Sequence, residues 1–392
     1  MRLLLAALLS SAALVAQTPP AATPPAGPGG RGNEARALAE PFKGITTDGT
    51  VQSGLFTLKS TGVTTEPVRK AATAFLAALT PEQKAKTTFP VDDPEWRKWM
   101  NVHRYVRQGV SFKEMTETQR EAAFGLMRAA LSANGLKLSQ DIMKLNETLG
   151  ELNNNNFTEY GEWLYWITIM GEPSATQPWG WQIDGHHLIV NYFVVGDQVV
   201  MSPVFVGSEP VIAAAGKYKG VTILQEEQKR GLAMLRALDE TQRKKAVLDA
   251  NKPGNNNQAE GFKDNVVVPY AGLLASELNA AQREQFLGLI ELFVSNMDDG
   301  HAKVKMSEVT QHLAQTHFAW VGGGEDTSVF YYRIHSPVVL IEFDHQRPAN
   351  LRHLAKDPQL PNREHIHVVV RTPNGNDYGK DLLQQHLAKH KH

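Results

Sequence analysis

Between Phe330 and Arg371 the chain alternates in a way that only extended backbone can use. In Val338–His345, Leu340, Glu342 and Asp344 fall on one face of a strand, and Ile341, Phe343 and His345 fall on the other. In Glu364–Arg371 the same period puts His365, His367 and Val369 on one side, with Ile366, Val368 and Val370 opposite. Two histidines at i and i+2 of a strand sit roughly 6.5–7 Å apart at Cα and point the same way. A sheet must form here, and one of its faces carries groups that can do chemistry.

The rest of the chain is read outward from that stretch. From Glu66 the apolar period is helical, with Val68, Ala71, Ala72, Phe75, Leu76 and Leu79 at the i, i+3, i+4, i+7 spacing. Four times a cap-type residue is followed three positions later by glutamine: Thr80/Gln83, Thr116/Gln119, Asp239/Gln242 and Asn279/Gln282. An apolar residue precedes each cap. These are capping boxes in form, each starting a helix just after another ends. A four-copy ligand motif is the alternative, but capping accounts for every residue of the pattern, and the spacing is too uneven for a solenoid.

Pro94–Arg107 carries Trp96, Trp99, Val102, His103 and Val106 at helical spacing, which reads as a core stripe with a packed histidine. From Glu162 the period falls to two. Short strands are expected at Trp163–Ile169, Trp179–Ile183, His186–Val194 and Val199–Phe205, and Asp184-Gly185 is a hairpin-turn signal. That turn sets Ile183 opposite His186 and Gln182 opposite His187. Trp179, Trp181, Ile183, Leu188, Val190 and Tyr192 then share a core face. Helices return across Gln225–Asp249, Tyr270–Met297 and Lys303–Leu313, while NKPGNNNQAEG reads as a surface loop. Helices, strands, helices and strands without regular βαβ alternation imply an α+β fold: a mostly antiparallel sheet or sheets with helices packed outside. Residues 41–392 form a single large domain in this reading.

The start of the chain differs in kind. One arginine and the apolar run LLLAALLSSAALVA have the form of a signal peptide over residues 1–17, too short for a convincing membrane span. A Pro/Gly-rich linker over residues 18–40 follows. The expectation is an exported protein, periplasmic or extracellular. There is no cysteine among the 392 residues, which removes thiolate nucleophiles, Fe–S clusters and Cys-ligated zinc. With a net charge of −1 the chain has no global basic field to draw in nucleic acid.

Several stretches in combination carry a family resemblance. They include Thr61-Gly62-Val63, Trp179-Gly180-Trp181-Gln182 with Gly185-His186-His187-Leu188, and Ser202-Pro203-Val204-Phe205-Val206-Gly207. Further along come Phe318-Ala319-Trp320, Tyr332-Arg333-Ile334, Leu340-Ile341-Glu342-Phe343-Asp344, His365-Ile366-His367, Arg371 and Asp377-Tyr378-Gly379. With these motifs the chain resembles the domain-of-unknown-function family numbered 3500 over nearly its whole length past the linker. The resemblance implies a family and brings no activity with it.

The residues themselves support several readings. His365 and His367, with a carboxylate from Glu342 or Asp344, make a nitrogen/oxygen site for a divalent metal, zinc first. His187 is a candidate catalytic base or a third nitrogen ligand, and Arg371 a candidate for binding an anionic group of substrate. This points to a metal-dependent hydrolase acting on a small-molecule, sugar or peptide substrate. A second reading is a non-catalytic exported binding protein with Trp163, Trp166, Trp179 and Trp181 lining a sugar or peptide groove. A third is metal-free acid–base chemistry by His187 with Asp344 or Glu342. The export expectation has a direct test. The native mature protein should begin near Gln17 and be found outside the cytoplasm, and N-terminal sequencing that returned Met1 would count against it.

Overall fold

The structure, a computed structural model, describes residues 31–389. The expected signal peptide, the first part of the linker and the last three residues lie outside the described residues. Arg31–Ala39, in the segment expected as extended linker, forms a helix, α1. It is held where Arg97 donates to the carbonyls of Ala37 (2.8 Å) and Glu40 (3.0 Å).

From Glu66 onward the chain runs twice through the same order of elements. The first half is α2 (Glu66–Ala78), α3 (Pro81–Thr87), β1 (Thr88–Phe89), β2 (Val110–Ser111), α4 (Glu117–Ala130) and α5 (Ala133–Leu152). Its strands follow as β3 (Tyr165–Met170), β4 (Trp179–Gly185), β5 (Leu188–Val195) and β6 (Gln198–Ser208). The second half is α6 (Gln225–Ala237), α7 (Glu240–Ala246), β7 (Val247–Asp249), β8 (Leu273–Leu274), α8 (Ala280–Val294) and α9 (Asp299–Gln311). It ends in β9 (His317–Gly322), β10 (Phe330–His335), β11 (Leu340–His345) and β12 (Ile366–Arg371), after which α10 (Lys380–Lys389) closes the chain.

The strands make one sheet in the order β1-β3-β4-β5-β6-β12-β11-β10-β9-β7, with β2 beside β3 and β8 beside β9. The two halves are mirrored in this order, and they meet where β6 pairs antiparallel with β12. One row of cross-strand partners shows the symmetry. It runs Val110–Ile167–Ile183–Val190–Val204 in the first half and continues Val370–Ile341–Ile334–Phe318–Leu273 in the second. Val204 and Val370 are the partners at its centre. The helix layer repeats the relation: the N–H of Ser132 donates to Asn296 O, and that of Asp298 donates to Ala130 O, both at 3.1 Å.

The class α+β holds, but the sheet is mixed rather than mostly antiparallel, with parallel pairs β1–β3 and β7–β9. The cause is the same in each half. The chain leaves β1 or β7, crosses through a helix pair, and returns in the same direction beside it.

All four capping boxes form. They work in pairs, because the Gln83 and Gln119 amides bond each other, as do those of Gln242 and Gln282. Gln119 also donates to Ala78 O at the end of α2, and Gln282 to Ala237 O at the end of α6, at 2.8–2.9 Å. The recurrent glutamine therefore locks three helix ends together in each half.

The sheet divides the core in two. One face carries Trp181, Tyr192, Val204, Tyr332, Phe343 and Val368 under the helices of both halves. The other carries Phe193, Phe205, Leu340 and Val369 under Trp96, Trp99, Tyr378 and Leu382. Trp96 and Trp99 are core as expected, yet only Pro94–Arg97 is helical, a single 3-10 turn, and Val102 and Val106 are exposed. If Thr116 caps α4 through its hydroxyl, Thr116→Ala should cost about 1 kcal/mol in a denaturant melt and Thr116→Gly less.

Candidate metal centre

The hairpin between β4 and β5 turns on His186-His187, with Gly185 paired to Leu188 and Ile183 to Val190. The expected turn at Asp184-Gly185 is thus displaced by two residues. An even slip leaves every side chain on its face, so the predicted apolar set from Trp179 to Tyr192 is intact in one core cluster. The reason lies under Gly185, where a Cβ would come within 2.1 Å of the Tyr165 ring. Gly185 serves close packing inside the strand, and Asp184 is buried against Arg107, Nε to Oδ1 3.0 Å.

His187 takes up the turn with φ +62°, a left-handed conformation uncommon for a residue with a Cβ. Its N–H donates to Asn101 O (3.3 Å), and its carbonyl accepts from Gly207 N (2.9 Å). Such strain persists where the surroundings over-determine it and is concentrated at functional sites. Here it directs an imidazole across the seam between the two halves.

On the far side of the seam, His365 sits just before β12 and His367 within it, with His367 paired to Gly207. The Nε2 atoms of the three histidines converge: His365 to His367 2.9 Å, His187 to His367 3.1 Å, and His187 to His365 3.3 Å. All three residues are buried, at 3–7% exposure. His365 Nδ1 donates to the Arg347 carbonyl (2.7 Å), and His367 Nδ1 donates to Glu260 Oε1 (2.8 Å). A carbonyl or carboxylate can only accept, so each ring keeps a proton on Nδ1 and aims Nε2 inward. Burial, then the charge of neighbouring imidazoles, holds His187 and His365 well below the ordinary histidine range. Burial acts to raise Glu260, but His367, Asn257 and Lys263 together outweigh it, and the carboxyl is lowered.

Inward-facing nitrogen lone pairs within 3.3 Å of one another repel, and a cation between them relieves that repulsion. One proton can bridge a single edge of this triangle; a metal ion at its centre satisfies all three. Metal–nitrogen bonds of about 2.0–2.1 Å in a tetrahedral arrangement set ligand atoms roughly 3.3 Å apart, the scale seen here. His187, His365 and His367 form a group that could hold a metal ion, and it is the only such group among the described residues.

The two carboxylates expected as ligands lie elsewhere. The register does set Asp344 beside His367 and Glu342 beside Val369. Their side chains nevertheless turn to the 252–260 segment. Asp344 accepts from the N–H groups of Asn256 (2.6 Å) and Asn257 (3.1 Å) and pairs with the buried Lys252 ammonium (2.5 Å). Glu342 accepts from the N–H groups of Gln258 and Ala259 and from the Tyr331 hydroxyl (2.7 Å). Burial raises both carboxyls against these stabilising contacts. The supposed surface loop is therefore clamped onto β11, and near its end stands Glu260, the partner of His367.

The Arg371 guanidinium is engaged in a buried network. Its guanidinium donates to Ala259 O (3.0 Å) and Glu260 O (3.0 Å) and pairs with Asp264 (2.8 Å) and Asp377 (3.1 Å), under the Trp99 ring. It positions Glu260 from below. Glu260 and Gly207 were invisible to periodicity: one lies in an asparagine-rich loop, the other is a glycine in an apolar strand.

Of the four tryptophans considered for a groove, Trp179 and Trp181 are fully buried and Trp163 packs against Phe112. Trp166 lines a surface cleft of about 310 Å3 together with His103 and His186. The His186 ring stacks on that of His187 at 4.1 Å, so the cleft ends one residue from the histidine group.

Fold and site together define an α+β protein of two mirrored halves with a three-histidine centre at their junction. The model of a family described as "Protein of unknown function (DUF3500)" matches residues 61–380, and the chain belongs to that family. Comparison with curated proteins and with solved structures gives no match.

Gly207 offers a test of the packing. A Cβ there would meet the Ile366 carbonyl at 2.4 Å and the His187 and His367 ring carbons at 3.3–3.4 Å. Gly207→Ala should cost about 1–3 kcal/mol of stability, as overpacking does, and should weaken metal uptake. A melt and metal titration equal to wild type would contradict this geometry.

Proposed function

We infer that the chain is an exported metal-dependent hydrolase whose divalent ion, zinc first, is held by His187, His365 and His367. The observation that carries the reading is the convergence of three Nε2 atoms whose opposite nitrogens, in two of the rings, are committed as donors. Three neutral imidazoles without thiolate suit zinc, and a three-histidine set leaves a position open. An ion so held supplies Lewis acidity and lowers the pKa of a bound water.

The chain's own residues do the rest. Glu260 and the Arg347 carbonyl fix the tautomers of His367 and His365, and Gly207 lets the rings approach. The clamp of Glu342, Asp344 and Arg371 holds Glu260 in place. Export is supported by the apolar N-terminal run. No helix among the described residues is long and apolar enough to cross a membrane.

Elemental analysis of protein purified without a metal-binding tag should find about one equivalent of divalent metal. His365→Ala and His367→Ala should each lose it and remain folded. Glu260→Gln should bind metal 10–100-fold more weakly, the usual cost of removing a carboxylate that orients a ligand histidine. Hydrolysis of ester, phosphoester, peptide and glycoside panels should stop with chelator and return with zinc. Protein with no stoichiometric metal would overturn the assignment of the centre. A metal-loaded protein inert on every panel would overturn the hydrolase.

A further inference from the structure

We propose that Lys252 and Asp344 become joined by an isopeptide bond, an amide between the lysine Nζ and the aspartate Cγ. Neither residue belongs to the histidine group, so this holds whether or not a metal is bound there.

Both side chains are completely buried, with Lys252 Nζ 2.5 Å from Asp344 Oδ1. In every other lysine ion pair among the described residues the lysine side chain is at least 17% exposed, within reach of water. The two oxygens of the Asp344 carboxyl have unlike surroundings. Oδ2 accepts from the N–H of Asn256 (2.6 Å), the N–H of Asn257 (3.1 Å) and the Gln346 side-chain amide (2.6 Å). Oδ1 accepts no hydrogen bond among the described residues. Nζ therefore stands against Oδ1 without the alignment that a hydrogen bond requires. It is held there by donating to Gly254 O (2.8 Å) and Asn256 Oδ1 (2.9 Å).

This is an arrangement for acyl transfer at Cγ. The donors on Oδ2 polarise the carbonyl and meet the charge that builds on it, as an oxyanion hole does. An ion pair without water is costly, and one proton passed from Nζ to Oδ1 leaves a neutral amine beside a carboxylic acid. The amine lone pair then adds to Cγ, and the C=O electron pair moves onto Oδ2. A second proton passes from the nitrogen to the Oδ1 hydroxyl. The Cγ–Oδ1 bond breaks, water leaves, and the Cγ=Oδ2 double bond re-forms. The ammonium has given up two protons and the carboxylate one oxygen, so no oxidant or co-reactant is needed. The N–H left on the amide still has Gly254 O or Asn256 Oδ1 as acceptor. Fixed proximity in a dry interior favours a condensation that is unfavourable between the same groups in water. The bond fastens the 252–260 segment to β11, and a cross-link closing so long a loop restricts the unfolded chain. There is no cysteine in the chain to do this with a disulfide.

Mass spectrometry of the denatured full chain, followed by a tryptic map, tests this. The intact protein should be lighter by one water than the mass calculated from its sequenced N-terminus. The map should show peptides 246–263 and 334–352 as a single branched species, with the branch at Lys252 and Asp344. Lys252→Arg, which keeps the charge and cannot condense, should give the full mass and two separate peptides. Asp344→Asn should close the same amide by expelling ammonia and yield the wild-type branched peptide. The wild-type measurement decides the matter even where a variant fails to fold. A wild-type protein of full mass would overturn the proposal and leave a buried ion pair. So would a water loss confined to one peptide, as from a succinimide, or a branched species that persists in Lys252→Arg. A folded Asp344→Asn protein without the branch would overturn the roles given to the two oxygens.

Discussion

The antiparallel pairing of β6 with β12 is the contact on which everything else depends. It joins two halves that otherwise each end in an edge strand, and an unpaired edge is a row of unsatisfied backbone groups. It also fixes one register, with Val204 opposite Val370 and Gly207 opposite His367. A slip of one residue would turn the His365/His367 face into the helix-covered core and bring Ile366 and Val368 to the other side. The three-histidine group converges only in this register.

The seam is symmetric in its backbone, and the chemistry breaks that symmetry. Three residues before Val190 stands His187; three residues before its counterpart Ile341 stands Val338, fully buried among apolar neighbours. One half thus contributes a strained turn histidine where the other contributes core. The centre draws one ligand from the first half and two from the second, so an ion there would also tie the halves together, adding its binding free energy to folding.

Glu342 and Asp344 illustrate how buried charge serves a site without touching it. Burying a carboxylate is costly unless donors surround it. Here the donors are mostly backbone N–H groups of the 256–259 segment, so satisfying the carboxylates also fixes that loop. Glu260 follows directly, with Arg371 holding its carbonyl. The result is a rigid support for a single His367 hydrogen bond, which sets the tautomer that ligation requires.

By itself, the sequence determined the period-two strands, the apolar faces, the four helix starts and the His365/His367 pair. Each of these depends on residues a few positions apart, where backbone geometry alone sets direction. It also determined that any metal must be held without thiolate. Only the tertiary structure decided that the turn falls on His186-His187, because the competing signal at Gly185 was needed against Tyr165. It likewise decided that the carboxylates point to a loop more than eighty residues earlier in the chain, and that Glu260 is the residue orienting His367. The mirrored halves, too, are plain only in the sheet order. These are contacts between segments far apart in sequence, chosen by which pairing satisfies every buried group at once, and no local period encodes that choice.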